Sequence, residues 1–196
     1  ISIGKIYHHA NDDPDAWTKP PVRKMVGSGY VTEEGKKQVE LNRQTNPRSG
    51  TKGPVTEAAD VEDNVYSDGK LADIAIEELQ LLQDKKFFLA LGFRKPHLPF
   101  TAPKKYWDMY DPQELKLADN PFHPEGATPY TMNNFGELRN YYQMPRGDER
   151  VNDELARHLI HGYYACVSFI DAQIGRVVNE LERLGLKENT IIVLWG

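Results

Sequence analysis

An apolar run of strand length, Phe87 to Phe93, follows a helical pattern and runs straight into a basic, proline-locked turn, Arg94-Lys95-Pro96-His97-Leu98-Pro99-Phe100. Few architectures accept that order. A continuous apolar run is the pattern of a strand buried on both faces, as in a parallel sheet covered by helices. Ahead of it, Leu71, Ile74, Ala75, Leu79 and Leu82 mark one face of a helix. Ser67 or Asp68 is placed to cap the start of that helix, and Asp84-Lys85-Lys86 to end it. Helix into buried strand is half of a βαβ unit, so the expected class is α/β with a mainly parallel sheet flanked by helices.

The remaining elements fit the same plan. Residues 1–9 alternate apolar and polar side chains before a basic cluster, as a first strand would. The longest periodic segment comes last: Leu155, Leu159, Tyr163, Val167, Ile170, Ile174, Val177, Leu181 and Leu184 recur at steps of three and four. Asn152 or Asp153 starts this helix, Gly185 ends it as a left-handed residue, and its length suggests a break near Gly162. Ile191-Ile192-Val193-Leu194-Trp195 then reads as another buried strand. The core elements therefore lie at about 1–9, 66–100 and 151–196. Residues 17–62 and 101–150 read as irregular excursions rich in turn-forming residues, apart from a short helix at Lys104 to Tyr110 whose rings pack under the His97 loop.

Charge narrows the class of partner. Among 196 residues, 24 Lys and Arg are scattered among 29 acids, for a net charge of −5, so no basic face marks a nucleic-acid partner. No apolar run approaches the roughly 20 residues of a membrane-spanning helix. A single cysteine permits no internal disulfide and says nothing about compartment.

Ligands of open α/β sheets bind beyond the carboxyl ends of strands, where the turn after Phe93 lies. Pro96 pushes Lys95 out of the helical region, and Pro96 and Pro99 fix their own φ, so a cation and an imidazole are held at little further entropic cost. Two neighbouring cations suit an anionic substrate, and histidine can donate a proton. The residues alone equally admit a histidine satisfied within its turn and packed by Phe100 and Tyr106. Gly4-Lys5-Ile6-Tyr7-His8-His9 has the same form, an apolar strand followed by Lys and His; alone it reads as readily as a solvated basic turn. Two such loops together point to a shared anion site.

Other polar features read as structural. Asp12 and Asp13 lack the spacing of a calcium loop and are expected in a turn. His158 and His161 have no further zinc ligand nearby and read as a solvated helix edge. Cys166 sits among apolar neighbours as a packing residue, and Asp171, within the same helix, is expected to have a structural hydrogen-bond partner.

At these residues the chain resembles the sulfatases of the alkaline-phosphatase-like superfamily. Gly4-Lys5-Ile6-Tyr7-His8 is similar to the family's Gly-Lys-x-x-His segment. Lys95-Pro96-His97-Leu98-Pro99-Phe100 is similar to a loop of the branch acting on 2-sulfated uronic acids. Tyr163-Tyr164-Ala165 through Asp171, Gly175-Arg176, Leu184-Gly185-Leu186 and Asn189-Thr190-Ile191-Ile192 resemble the family's late helix and strand. The resemblance implies one partial catalytic domain over residues 1–196, acting on a sulfated sugar or polysaccharide in a periplasmic, secreted or lysosomal setting. It implies formylglycine, made from a cysteine in Cys-x-Pro-Ser-Arg, beside a bound calcium ion. Lys5 would then stabilise the formylglycine hydroxyl and the sulfate. His8 would take a proton as the covalent sulfate intermediate collapses. His97 would hold the sulfate or assist the departing alcohol, and Lys95 would contact the sulfate or a sugar carboxylate.

The chain also departs from the family pattern. Cys166 is not in a Cys-x-Pro-Ser-Arg context, Asp12 and Asp13 follow the Lys-His segment instead of preceding it, and an Asp-His metal segment is expected only after Trp195. The expectation is the middle of a sulfatase with both ends internal, inactive in isolation and with none of the metal ligands. A phosphate- or phosphonate-cleaving relative and a non-catalytic anion-binding homologue are the alternatives.

Overall fold

A computed structural model describes residues 1–8, 13–23, 29–147 and 149–196. His9 and Asp12 lie outside the described residues. The architecture is mixed α/β, with parallel strand pairs accompanied by helices. Two compact units divide the chain: Ile1–Ser28, Glu62–Lys95 and Ser168–Gly196 form the first, and Gly29–Val61 with Pro96–Val167 the second.

In the first unit, β1 (Ser2–Gly4) pairs in parallel with β3 (Ala90–Gly92), in the register Ser2↔Ala90, Ile3↔Leu91 and Gly4↔Gly92. On its other side β1 meets Val22, whose amide donates to the Ser2 carbonyl at 3.0 Å and whose carbonyl accepts from Gly4 at 2.8 Å. Helix α2 (Ser67–Leu81) lays Leu71, Ala72, Ala75 and Leu79 against Ile3, with Val177 and Leu181 closing the core. The predicted apolar face is thus the buried one, with Ile74 and Leu82 at its partly exposed margins.

The Phe87–Phe93 run differs from expectation. Only Ala90–Gly92 is strand, and the run alternates: Phe87, Leu89, Leu91 and Phe93 pack on the core, whereas Phe88 turns outward, 71% exposed, and stacks on Trp17 with centroids 6.0 Å apart. Alternate side chains along this segment thus meet the core on one face only. The run Ile191–Trp195 likewise is not a strand among the described residues; it is solvent-exposed, Trp195 at 82%, with no sheet neighbour among them to bond its backbone. The capping expectation at α2 fails as well. Neither Ser67 nor Asp68 caps the helix; Tyr66 occupies the cap position without a side-chain bond, and Asp68 turns elsewhere.

The second unit contains β2 (Thr56–Ala59) paired in parallel with β4 (Phe100–Pro103), and α1 (Glu33–Thr45) inside the stretch expected to be irregular. Helix α1 is nearly all polar, which hides it from any search for an apolar period. Its signals are a cap and acidic first-turn residues: the Thr32 hydroxyl accepts from the Gly35 amide at 3.0 Å, and Glu33 and Glu34 sit in the first turn. Asn42, 1% exposed, anchors the helix by donating its amide to the Lys52 carbonyl at 2.7 Å and the Asn140 carbonyl at 2.9 Å. Residues 101–150 are otherwise mostly turns, with α3 (Lys104–Trp107) close to where a short helix was expected.

Helix α4 (Asp153–Arg183) is a single helix of 31 residues without a break at Gly162. Gly162 serves packing instead: a Cβ there would lie 2.8 Å from the Trp107 ring. The Asn152 carboxamide oxygen accepts from the Leu155 amide at 2.8 Å, capping the start as predicted. At the other end Leu186 donates to the Leu181 carbonyl and Gly185, at φ +70°, to that of Glu182, the paired bonds of a Schellman turn.

Candidate anion-binding site

Parallel pairing brings both basic segments out of the sheet at the same edge. Gly4 faces Gly92, and just beyond this pair the Lys5 amide donates to the Gly92 carbonyl at 2.8 Å. The two backbones touch. A Cβ on Gly4, which has φ +77°, would sit 2.1 Å from the Gly92 carbonyl oxygen, and one on Gly92 would sit 2.1 Å from that of Lys5. Two glycines are therefore required for the chains to leave the sheet side by side.

Lys5 and His8 are exposed beyond β1, while beyond β3 Arg94 is exposed and Lys95 half-buried. Arg23, which the sequence did not single out, joins this edge: its Nη1 donates to the Gly4 carbonyl at 3.2 Å and its guanidinium lies 6.0 Å from the Tyr7 ring centre. Asp68 supports the far side. Its carboxylate, 2% exposed, accepts the Arg94 amide on Oδ1 and the Lys95 amide on Oδ2, both at 2.9 Å. Burial pushes this carboxyl above its usual range, against the opposing pull of the two amides and the adjacent cations.

The first unit thus holds Lys5, His8 and Lys95; His97 belongs to the second. The His97 Nδ1 lies 2.7 Å from the Leu98 carbonyl, which can only accept, so Nδ1 carries the proton and Nε2 is left facing Glu137 Oε2 at 3.5 Å. Both side chains are substantially exposed, so this pair stabilises little. The Leu98–Pro99 peptide is cis.

His161 is half-buried and not a solvated edge, whereas His158 is exposed as expected but bonded on its protein side. His158 Nε2 bonds the Thr56 hydroxyl at 2.8 Å, His161 Nε2 donates to the Trp107 carbonyl at 2.8 Å, and both rings meet the Trp107 indole. Burial, then the neighbouring His161, holds His158 below the ordinary imidazole pKa. The folded form therefore binds protons less readily than the unfolded chain, and stability contributed above the unfolded value, near 6.5, is lost as pH falls below it. His158→Gln is expected to flatten the fall in melting temperature between pH 7 and pH 5. An unchanged slope would remove His158 from that account.

Asp13 takes a turn role, its carbonyl accepting the Ala16 amide at 3.3 Å. Cys166 is fully buried inside α4, its Sγ 3.8 Å from the Thr101 carbonyl. Asp171, expected to have a structural hydrogen-bond partner, lies on the exposed face of α4. Among the described residues, no group of three or more His, Cys, Asp and Glu side chains could hold a metal ion. A buried mid-helix thiol does not fit a formylglycine either, so neither calcium nor formylglycine fits the described residues of this chain.

The family model named Sulfatase matches residues 23–196. The chain belongs to the sulfatase family. Iduronate 2-sulfatase of Mus musculus is 29% identical to this sulfatase chain over 207 residues, covering 98% of the chain and 36% of the relative. The Homo sapiens protein of the same name is 28% identical with the same coverage, and a protein named Sulfatase from Formosa agariphila is 27% identical over the full chain and 38% of its own length. An ulvan-active sulfatase of Formosa agariphila is 32% identical over 59% of the chain. The sulfatase chain thus spans little more than a third of the length of the first three relatives. Among its described residues no helix is long and apolar enough to cross a membrane.

Proposed function

We propose that the whole protein hydrolyses sulfate esters on sulfated sugars or polysaccharides, with a 2-sulfated uronic acid as the preferred group, and that Lys5, His8, Lys95 and His97 serve the sulfate. The observation that carries this reading is the Gly4↔Gly92 register, which brings the Gly-Lys-x-x-His segment and the start of the Lys-Pro-His loop to one edge of one sheet. Names borne by relatives, iduronate 2-sulfatase and ulvan-active sulfatase, support a sulfated sugar.

In this reading the Lys5 and Lys95 ammonium groups donate to the non-bridging oxygens, which carry charge in ground and transition states alike. His97 gives a proton to the alcohol oxygen as the S–O bond breaks, so that an alcohol and not an alkoxide departs. His8 takes up the proton given up as sulfate is released, so that over the cycle water supplies one oxygen to the sulfate and one proton to the alcohol. The backbone from which each cation projects is set before substrate arrives, at Lys5 by the glycine contact and at Lys95 by the proline-bounded turn.

The test is sulfate release, followed by ion chromatography, when the whole protein meets a 2-sulfated uronate disaccharide. Release is expected from the whole protein and none from the 196-residue chain alone. Turnover of a phosphate monoester or phosphonate in its place, or of no ester at all, would overturn the reading, as turnover by the chain alone would overturn its second part.

A further inference from the structure

Asp68 lies in the first turn of α2, where an acid ordinarily caps its own helix. It does not. The carboxylate instead reaches the segment just past β3 and holds two successive amides, Arg94 N–H and Lys95 N–H, one on each oxygen and each at 2.9 Å. Those amides lie beyond the last strand residue, Gly92, where no ladder partner is provided. The carboxylate supplies what the sheet does not. Charge-assisted bonds of this kind are about twice as strong as neutral ones, and the group is nearly inaccessible to water.

We infer that Asp68 is the positioning residue of the proposed sulfate site, setting the direction in which Lys95 leaves the sheet. This rests on the reading of Lys95 given above. Bonding residue 95 on its amide side while Pro96 restricts its ψ leaves the Lys95 backbone little freedom. The stem of the side chain then starts from a fixed point and in a fixed direction, which narrows the region the ammonium group can reach. Asp68 itself touches no substrate; its effect passes through Lys95.

Asn is the matching probe, because it keeps the shape but places an NH₂ against one of the two amides. In the whole protein, Asp68→Asn is expected to weaken inorganic sulfate binding, measured by calorimetry, and to raise KM more than it lowers kcat, each by roughly tenfold at most. In a Lys95→Ala background the same substitution should change sulfate affinity by less than about twofold, because contacting residues that share one effect do not add. Equal losses in both backgrounds would overturn the inference, since a general loosening of the fold acts whether or not Lys95 is present. A second measurement needs no variant. In the wild-type protein the Arg94 and Lys95 amides should exchange with deuterium at least about a hundredfold more slowly than free amides. Fast exchange there overturns the inference even if Asp68→Asn fails to fold. A protein that binds sulfate through Asp68 and Lys95 yet releases none from any ester overturns the hydrolase reading alone.

Discussion

Replacing His97 by Ala in the whole protein is expected to lower turnover of a sulfated uronate by about 10²-fold or more. The loss should fall mainly on kcat, because protonation of the departing oxygen is needed in the transition state and not for binding. Nδ1 of His97 is committed to the Leu98 carbonyl, so in this reading Nε2 is the nitrogen through which a proton passes. Glu137, 3.5 Å from Nε2, gives an internal control. Both groups are well exposed, and an exposed pair contributes little, so Glu137→Gln should leave turnover within about twofold of wild type. Full activity in His97→Ala would return the histidine to a turn-filling role.

The second large effect concerns the glycine contact. Gly92→Ala places a methyl carbon 2.1 Å from the Lys5 carbonyl oxygen, a backbone atom that cannot swing aside. The strands must separate or the turn after β1 must refold, at an expected cost of about 1–3 kcal/mol, the usual range for overpacking. Gly4→Ala meets the Gly92 carbonyl at the same distance and adds the strain of φ +77°. Thermal unfolding of the whole protein measures both. Because Lys5 and the turn toward Lys95 begin on either side of this contact, sulfate affinity should fall together with melting temperature. A variant that keeps its wild-type melting temperature would show that the two backbones can part without penalty.

These residues were unequally legible in the sequence. Helix α4 could be read at both ends, since its apolar positions repeat and both caps are residue-specific, Asn152 before and Gly185 after, but the break expected at Gly162 is filled by packing on Trp107. Helix α1 could not, because it is held by a Thr32 cap and by Asn42 reaching distant carbonyls, and no apolar period records either. In β3 the composition misled: Phe88 is as apolar as Phe87, and only its partner Trp17 tells that it faces outward. At the candidate site Lys5, His8, Lys95 and His97 were marked by their place after apolar runs. Asp68 was noticed for the wrong reason. Local rules offer an acid near a helix start only the cap, whereas its partners lie in a segment that sequence cannot bring near. Arg23 was missed because it lies in an aperiodic stretch, and its proximity to Gly4 follows from the single bridge between Ile3 and Val22.

The interleaving of the two units has a consequence for synthesis. β1 is made before β3 and cannot pair until β3 exists, and Ile3 is not fully covered until Val177 and Leu181 have followed. All segments of the second unit have been made once Val167 is reached, while the first still lacks its closing helix turns. Within these residues, then, β1 leaves the ribosome before its partners and settles only with them, and Ile3 stays wet, or is shielded by a chaperone, until Val177 and Leu181 have emerged.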